Sequence, residues 1–142
     1  MPLYLTSICA FLWAGMILGI SFFESWVKFK TPALDKVVGL NVGRTVFFYF
    51  HRLQMGWFVL LIILTLLSDP TRIEILFLAI LFGILMLQTY WIFPILSQRV
   101  DELARGKKLP HSCAHGLYGV GELIKFFVLF ALGIEGYGVL FF

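Results

Sequence analysis

The sequence predicts an all-α membrane protein: a four-helix bundle of four transmembrane helices, both termini outside. Three observations predict it. The chain is 61% hydrophobic and only 13% charged, with mean hydropathy +0.96, whereas a soluble domain is about half apolar and a quarter charged. Four apolar segments reach or approach the roughly 20 residues that cross a hydrocarbon core of about 30 Å. The basic residues gather in alternate connectors, as the positive-inside rule requires. A length of 142 residues suits a single transmembrane domain, 1–142, and the phenylalanines suit a lipid-facing surface.

The first helix is expected over about residues 3–24. Its start, MPLYLTS, has no basic side chain, unlike the positive start of a cleaved signal, so it is read as retained. Gly15 and Gly19 form a GxxxG pair that lets a neighbouring helix come close. An amphipathic interfacial helix is expected over about 32–42. Thr31 would be its N-cap and Pro32 its first residue, and Leu34, Val37, Val38 and Val42 recur at helical spacing. A packed connector is the alternative.

The second helix is expected over about 45–68. Leu53–Leu67 alone rises only about 22 Å, so the span borrows VFFYF, residues 46–50, and draws His51 and Arg52 into the membrane or its inner interface. The third is expected over about 74–97, with Pro94 kinking or ending it, because proline lacks the backbone donor and crowds the preceding turn. Ser68–Thr71 is a short turn. The fourth is expected over about 113–135. Phe126–Ile134 is too short to cross a membrane, so this helix starts near His115 and carries Glu122 and Lys125 inside the bilayer. Gly116 and Gly119 would admit a close neighbour.

Orientation follows from charge. Lys28, Lys30, Lys36, Arg44 and Arg52 precede the second span, and Arg99, Arg105, Lys107 and Lys108 follow the third. The connector between them holds Arg72 alone. The basic connectors are therefore read as cytoplasmic, in a bacterial inner membrane. Cys9 and Cys113 fall near opposite faces, too far apart for a disulfide, and are read as small buried hydrophobes.

The chemistry-bearing residues concentrate in the cytoplasmic half. His111, His115, Tyr118, Glu122 and Lys125 are spaced 4, 3, 4, 3 and share one helix face. Charge at that depth is costly and should face protein or water. His51, Arg52, Glu24 and Tyr90 come from the other helices at a similar level. Together they suggest a polar pocket open to the cytoplasm that binds a ligand or ion. The alternative is a polar staple, one Glu122–Lys125 pair holding the bundle together. His51, His111 and His115 are also candidate ligands for a transition metal or haem. Lys28, Lys30, Arg44 and Arg52 could instead attract an anionic head group or substrate, but the positive-inside rule already accounts for them, and Arg52 could simply snorkel to the headgroups.

No nucleophile elbow, P-loop, dinucleotide fingerprint or zincin motif is present, so nothing supports hydrolytic or ATP-driven chemistry. Nothing suggests nucleic acid.

WAGMILGISFFESWVKFKTP (13–32), VGRTVFFYFHRL (42–53), a proline in the third helix and HGLYGVGE (115–122) together resemble a small four-helix integral membrane family of unknown function. That family includes transmembrane protein 205 and bacterial relatives. The matching positions are Gly15, Pro32, Pro94 and His115. The resemblance implies a four-helix membrane fold and no particular activity. The chain departs from it in the charges at Glu122 and Lys125. A weaker similarity, in size and helix number only, links it to haem-binding four-helix membrane oxidases.

Three functions are therefore expected in descending order. The first is ligand or ion binding or transport. The second is a haem- or metal-binding redox protein, and the third an accessory subunit of a membrane complex. Membrane lipid is the first expected partner, with a second copy or a membrane protein beside it.

Overall fold

The computed structural model describes residues 2–110 and 112–138, and the side chains of 4–110 and 112–136. Its described residues are helical with no strand, and four helices are long and apolar enough to cross a membrane. Helix α1 runs Pro2–Met16, widens into a π-helix over Ile17–Glu24 and closes with a turn at Ser25–Lys28. Helix α2 spans Lys36–Leu66. Helix α3 runs Arg72–Leu87, passes through a π segment at Gln88–Ile92 and continues over Phe93–Ala104. Helix α4 spans Ala114–Gly138.

Three boundaries differ from expectation. The segment 36–42 is not a separate interfacial helix but the first turns of α2, which at 31 residues is about 46 Å long, more than the roughly 30 Å of a hydrocarbon core. Its cap is Asp35, not Thr31: the carboxylate accepts from the backbone of Val37 at 2.8 Å and Val38 at 3.3 Å. Pro94 neither ends nor breaks α3. The π segment lies just before it, and there the Phe93 N–H reaches back five residues to the Gln88 carbonyl. That wider turn absorbs the ring and the missing donor.

The other ends are built from local chemistry. Thr71 and Glu74 form a capping box that starts α3: the Thr71 hydroxyl accepts from the Glu74 N–H at 3.2 Å, and the Glu74 carboxylate accepts from the Thr71 N–H at 2.8 Å. At its far end Gly106 adopts φ 79. This lets Gly106 donate to the Leu103 carbonyl and Lys107 to that of Glu102, the paired bonds of a Schellman ending.

The bundle is layered along its length. At the end that carries the termini and the 67–71 turn, Ala10, Trp13, Leu61, Leu81, Leu129 and Leu132 are fully enclosed. A polar layer follows. Below it lies a small aromatic cluster of Phe47, Phe93 and Tyr118 with Ile92. The opposite end holds both basic connectors. The outer surface is apolar, as lipid contact demands: Phe23, Val59, Leu66, Leu76 and Phe127 are exposed.

The glycines expected to admit a close neighbour meet none within the chain. A Cβ placed at Gly15, Gly19, Gly116 or Gly119 meets no atom within 4 Å. The buried face of α1 runs through Ala10, Ala14, Ile17 and Ser21, and that of α4 through Tyr118, Glu122 and Lys125, so these four glycines point elsewhere. The close approaches are at Gly133 against the Phe11 ring, at Gly121 against the Gln88 amide, and at Gly43 against the Lys28 ammonium. Cys9 is buried, but Cys113 is exposed at the start of α4.

Candidate functional site

The polar layer is a connected network in which the Gln54 amide nitrogen is left without a partner among the described residues. Glu122 and Lys125 are both 0% exposed and pair at 2.6 Å through Oε1. The Ser21 hydroxyl donates to Glu122 Oε2 at 2.9 Å and the Gln88 amide to Oε1 at 3.0 Å. Lys125 Nζ donates to Gln54 Oε1 at 2.5 Å and Gln88 Oε1 at 2.8 Å. The Trp13 indole donates to Gln54 Oε1 at 3.3 Å. Every helix contributes. The three ammonium protons have three acceptors, so Lys125 keeps no donor for a ligand.

Two of these side chains depend on the π segments. Ser21 lies in the wide turn of α1 and Gln88 opens that of α3, and they approach Glu122 on its two oxygens. A π turn shifts the helix face by part of a turn. It thereby aims one side chain inward without tilting the whole helix. Tyr118 lies against Ser21 and Glu122, with no well-formed hydrogen bond to its hydroxyl. Its ring stacks obliquely on Phe47 at 4.9 Å and meets Phe93 edge-on at 5.5 Å.

The other expected pocket residues are elsewhere. His51 is buried beside Phe93, ring centroids 4.8 Å apart, with Nε2 2.7 Å from the Thr89 hydroxyl. That hydroxyl gives its one proton to the Leu85 carbonyl at 2.7 Å, so His51 Nε2–H is the donor to it. Arg52 is exposed, its guanidinium 5.6 Å over the Phe48 ring. Tyr90 is 77% exposed, because it lies two residues, about half a turn, from the inward Gln88. Glu24 is half-buried and holds Lys28 at 3.1 Å. His115 is exposed, one position from the buried face. His111 lies outside the described residues.

Two openings occur among the described residues: a shallow one of about 290 Å³ lined by Phe48, His51, Arg52, Met55, Thr89 and Phe93, and a more enclosed one at the basic end. A partly open cavity of about 200 Å³ lies where the Lys28 end of α1, the start of α2, the second half of α3 and the start of α4 converge. Leu40, Phe47, Phe93, Leu96 and Val100 make its apolar wall, and Lys28, Arg44, Arg99 and His115 its charged or polar margin. Gly39 and Gly43 keep the α2 side flush: a Cβ at Gly43 would stand 2.8 Å from Lys28 Nζ. The aromatic cluster separates this cavity from the ion pair, and neither Glu122 nor Lys125 lines it. Of the expected site residues only His115 reaches it.

The cations of the cavity are unequally matched. Lys28 is nearly buried and pairs with Glu24. Arg44 pairs with Asp101 and also donates to Asn41 at 3.0 Å. Arg99 donates to the Pro110 carbonyl at 2.5 Å and has no carboxylate partner among the described residues.

Metal ligation fits poorly. No group of three or more His, Cys, Asp or Glu close enough to hold an ion occurs among the described residues. His51 and His115 line different cavities, with Phe93 a wall of both, so they do not face each other as an axial pair for haem.

Residues that sequence reasoning left out of the site are Gln54, Trp13 and Arg99, while Lys28 and Arg44 were weighed as anion-attracting and set against the positive-inside rule. Gln54 carried a signal: a lone amide inside an apolar run, in helical register with the buried Phe47, Phe50, Phe58 and Leu61. Compared with protein families, characterised proteins and solved structures, the chain matches none.

Proposed function

We propose that this protein binds a ligand at the cytoplasmic side of a membrane, in the cavity at the basic end of the bundle. The buried Glu122–Lys125 network is its scaffold. The carrying observation is the separation of the two: the fully buried Glu122–Lys125 pair has its charged atoms partnered among the described residues, and a distinct cavity toward the basic end is open and bordered by basic side chains.

The orientation rests on charge. The basic connectors lie at one end and Arg72 alone marks the other, which favours a cytoplasmic basic end with both termini outside. Binding is better supported than transport. A carrier has to expose its site to the far side, and the fully buried Trp13, Leu61, Leu81, Leu129 and Leu132 close that half.

The test is the small-molecule content of the gently purified protein, read by mass spectrometry. Wild type and Glu122→Gln should carry the same non-protein mass, and Ser97→Trp, which fills the cavity, should lose it. A mass that survives Ser97→Trp and disappears in Glu122→Gln would place the ligand at the ion pair and overturn the proposal.

A further inference from the structure

We infer that the cavity takes the head of an anionic amphiphile, a phosphate or carboxylate carried on an alkyl chain. This rests on the cavity being the ligand site and goes on to name the ligand's chemistry.

Charge selects the sign. Lys28, Arg44, Arg99 and His115 line the space and no carboxylate does. Glu24 and Asp101 compensate Lys28 and Arg44 from outside the lining, which leaves the charge of Arg99 uncompensated among the described residues. Lys28 adds a second argument. Its side chain is 7% exposed, so its ammonium has lost most of its water, and Glu24 is its one ionic partner. Phe29 and Phe47 rings lie 5.4 Å and 5.6 Å from it. A desolvated cation among aromatic rings gains most from a second anionic neighbour.

The walls select the tail. Leu40, Phe47, Phe93, Leu96 and Val100 are apolar, and a small hydrated anion would have to shed water against them without return. An alkyl chain carries no favourable hydration to lose and packs against them. The volume sets the extent. About 200 Å³ is below the roughly 300–1,000 Å³ that encloses a drug-sized ligand. The cavity therefore holds the head and the first part of the chain, and the rest lies in the bilayer.

The experiment uses the full chain in phosphatidylcholine nanodiscs, titrated by calorimetry with dodecyl phosphate, laurate, dodecanol and inorganic phosphate. Empty nanodiscs and the cavity-filled Ser97→Trp variant correct for partition into the bilayer. Dodecyl phosphate and laurate should bind saturably, dodecanol about tenfold more weakly, and inorganic phosphate not at all. Arg99→Gln should weaken dodecyl phosphate about tenfold, the loss of one charge-assisted contact, and leave dodecanol unchanged. Arg99→Lys should restore most of the difference. Competition by phosphatidylglycerol added to the nanodisc identifies a bilayer lipid as the source of the head, and its absence a free single-chain amphiphile. Equal binding of dodecanol and dodecyl phosphate, or indifference to Arg99→Gln, would overturn the anionic class and leave the cavity as a site. Saturable binding of none of the four would overturn both.

Discussion

Replacing Lys125 by methionine tests the scaffold directly. The side chain keeps its length and loses its charge. Glu122 Oε1 then keeps only the Gln88 amide, Gln54 Oε1 keeps only Trp13, and Gln88 Oε1 has no partner. Stranding one member of a buried ion pair costs about 3–5 kcal/mol, and an orphaned buried acceptor about 1–3 more. Hydrogen bonds inside membrane bundles average nearer 0.6 kcal/mol, which favours the lower end of this range. We therefore expect a loss of about 4 kcal/mol, on the order of a thousand-fold in the folding equilibrium. Unfolding in mixed micelles with increasing SDS measures it. The pair Glu122→Gln plus Lys125→Met removes both charges, and should cost less than the sum of the single changes by about 2 kcal/mol or more. A single change within about 0.5 kcal/mol of wild type, or a double change that is simply additive, would refute the reasoning.

Further expectations follow from the same contacts. Gly121→Ala should destabilise by about 1–2 kcal/mol despite the helical preference for alanine. The new methyl meets the Gln88 amide at 3.1 Å, and that amide is pinned by Glu122 and Lys125. Gly116→Ala, with open space around it, should instead stabilise by up to about 1 kcal/mol in the same SDS assay. Thr71→Ala should cost about 1 kcal/mol through loss of the capping box, and Thr71→Ser should recover most of it. A membrane-impermeant maleimide should label Cys113 in inverted vesicles and not in intact cells, while Cys9, 3% exposed, stays unlabelled in both. Labelling of Cys113 from outside would reverse the orientation.

The sequence made the helices legible because span length and helical period are local properties. The face bearing Tyr118, Glu122 and Lys125 was visible from spacing alone, and burial of the pair followed from span arithmetic. His115 shared that rhythm yet is exposed, since the buried face of α4 begins at Ala114. The partners of the pair were harder to see. Gln54 and Gln88 are amides in apolar runs, but joining them to Lys125 needs the axial levels of three helices, which no local pattern carries. The π turns left no compositional mark, although they position Ser21 and Gln88 and carry α3 past Pro94. The glycine pairs point away from the chain's own core because small residues occur on outward sides as well as packed ones. The cavity was illegible for a related reason: its walls come from four segments that only the packed fold brings together.

The central claim is that the ligand lies at the basic end and not at the ion pair. Crystals grown with ω-bromododecyl phosphate and measured at the bromine edge, with the phosphate located in the same density, test it most directly. The account predicts the phosphate beside Arg99 and Lys28 and the chain against Phe93 and Leu96, with the Glu122–Lys125 contact intact. A phosphate bound between Ser21 and Glu122, with that pair opened, would contradict it.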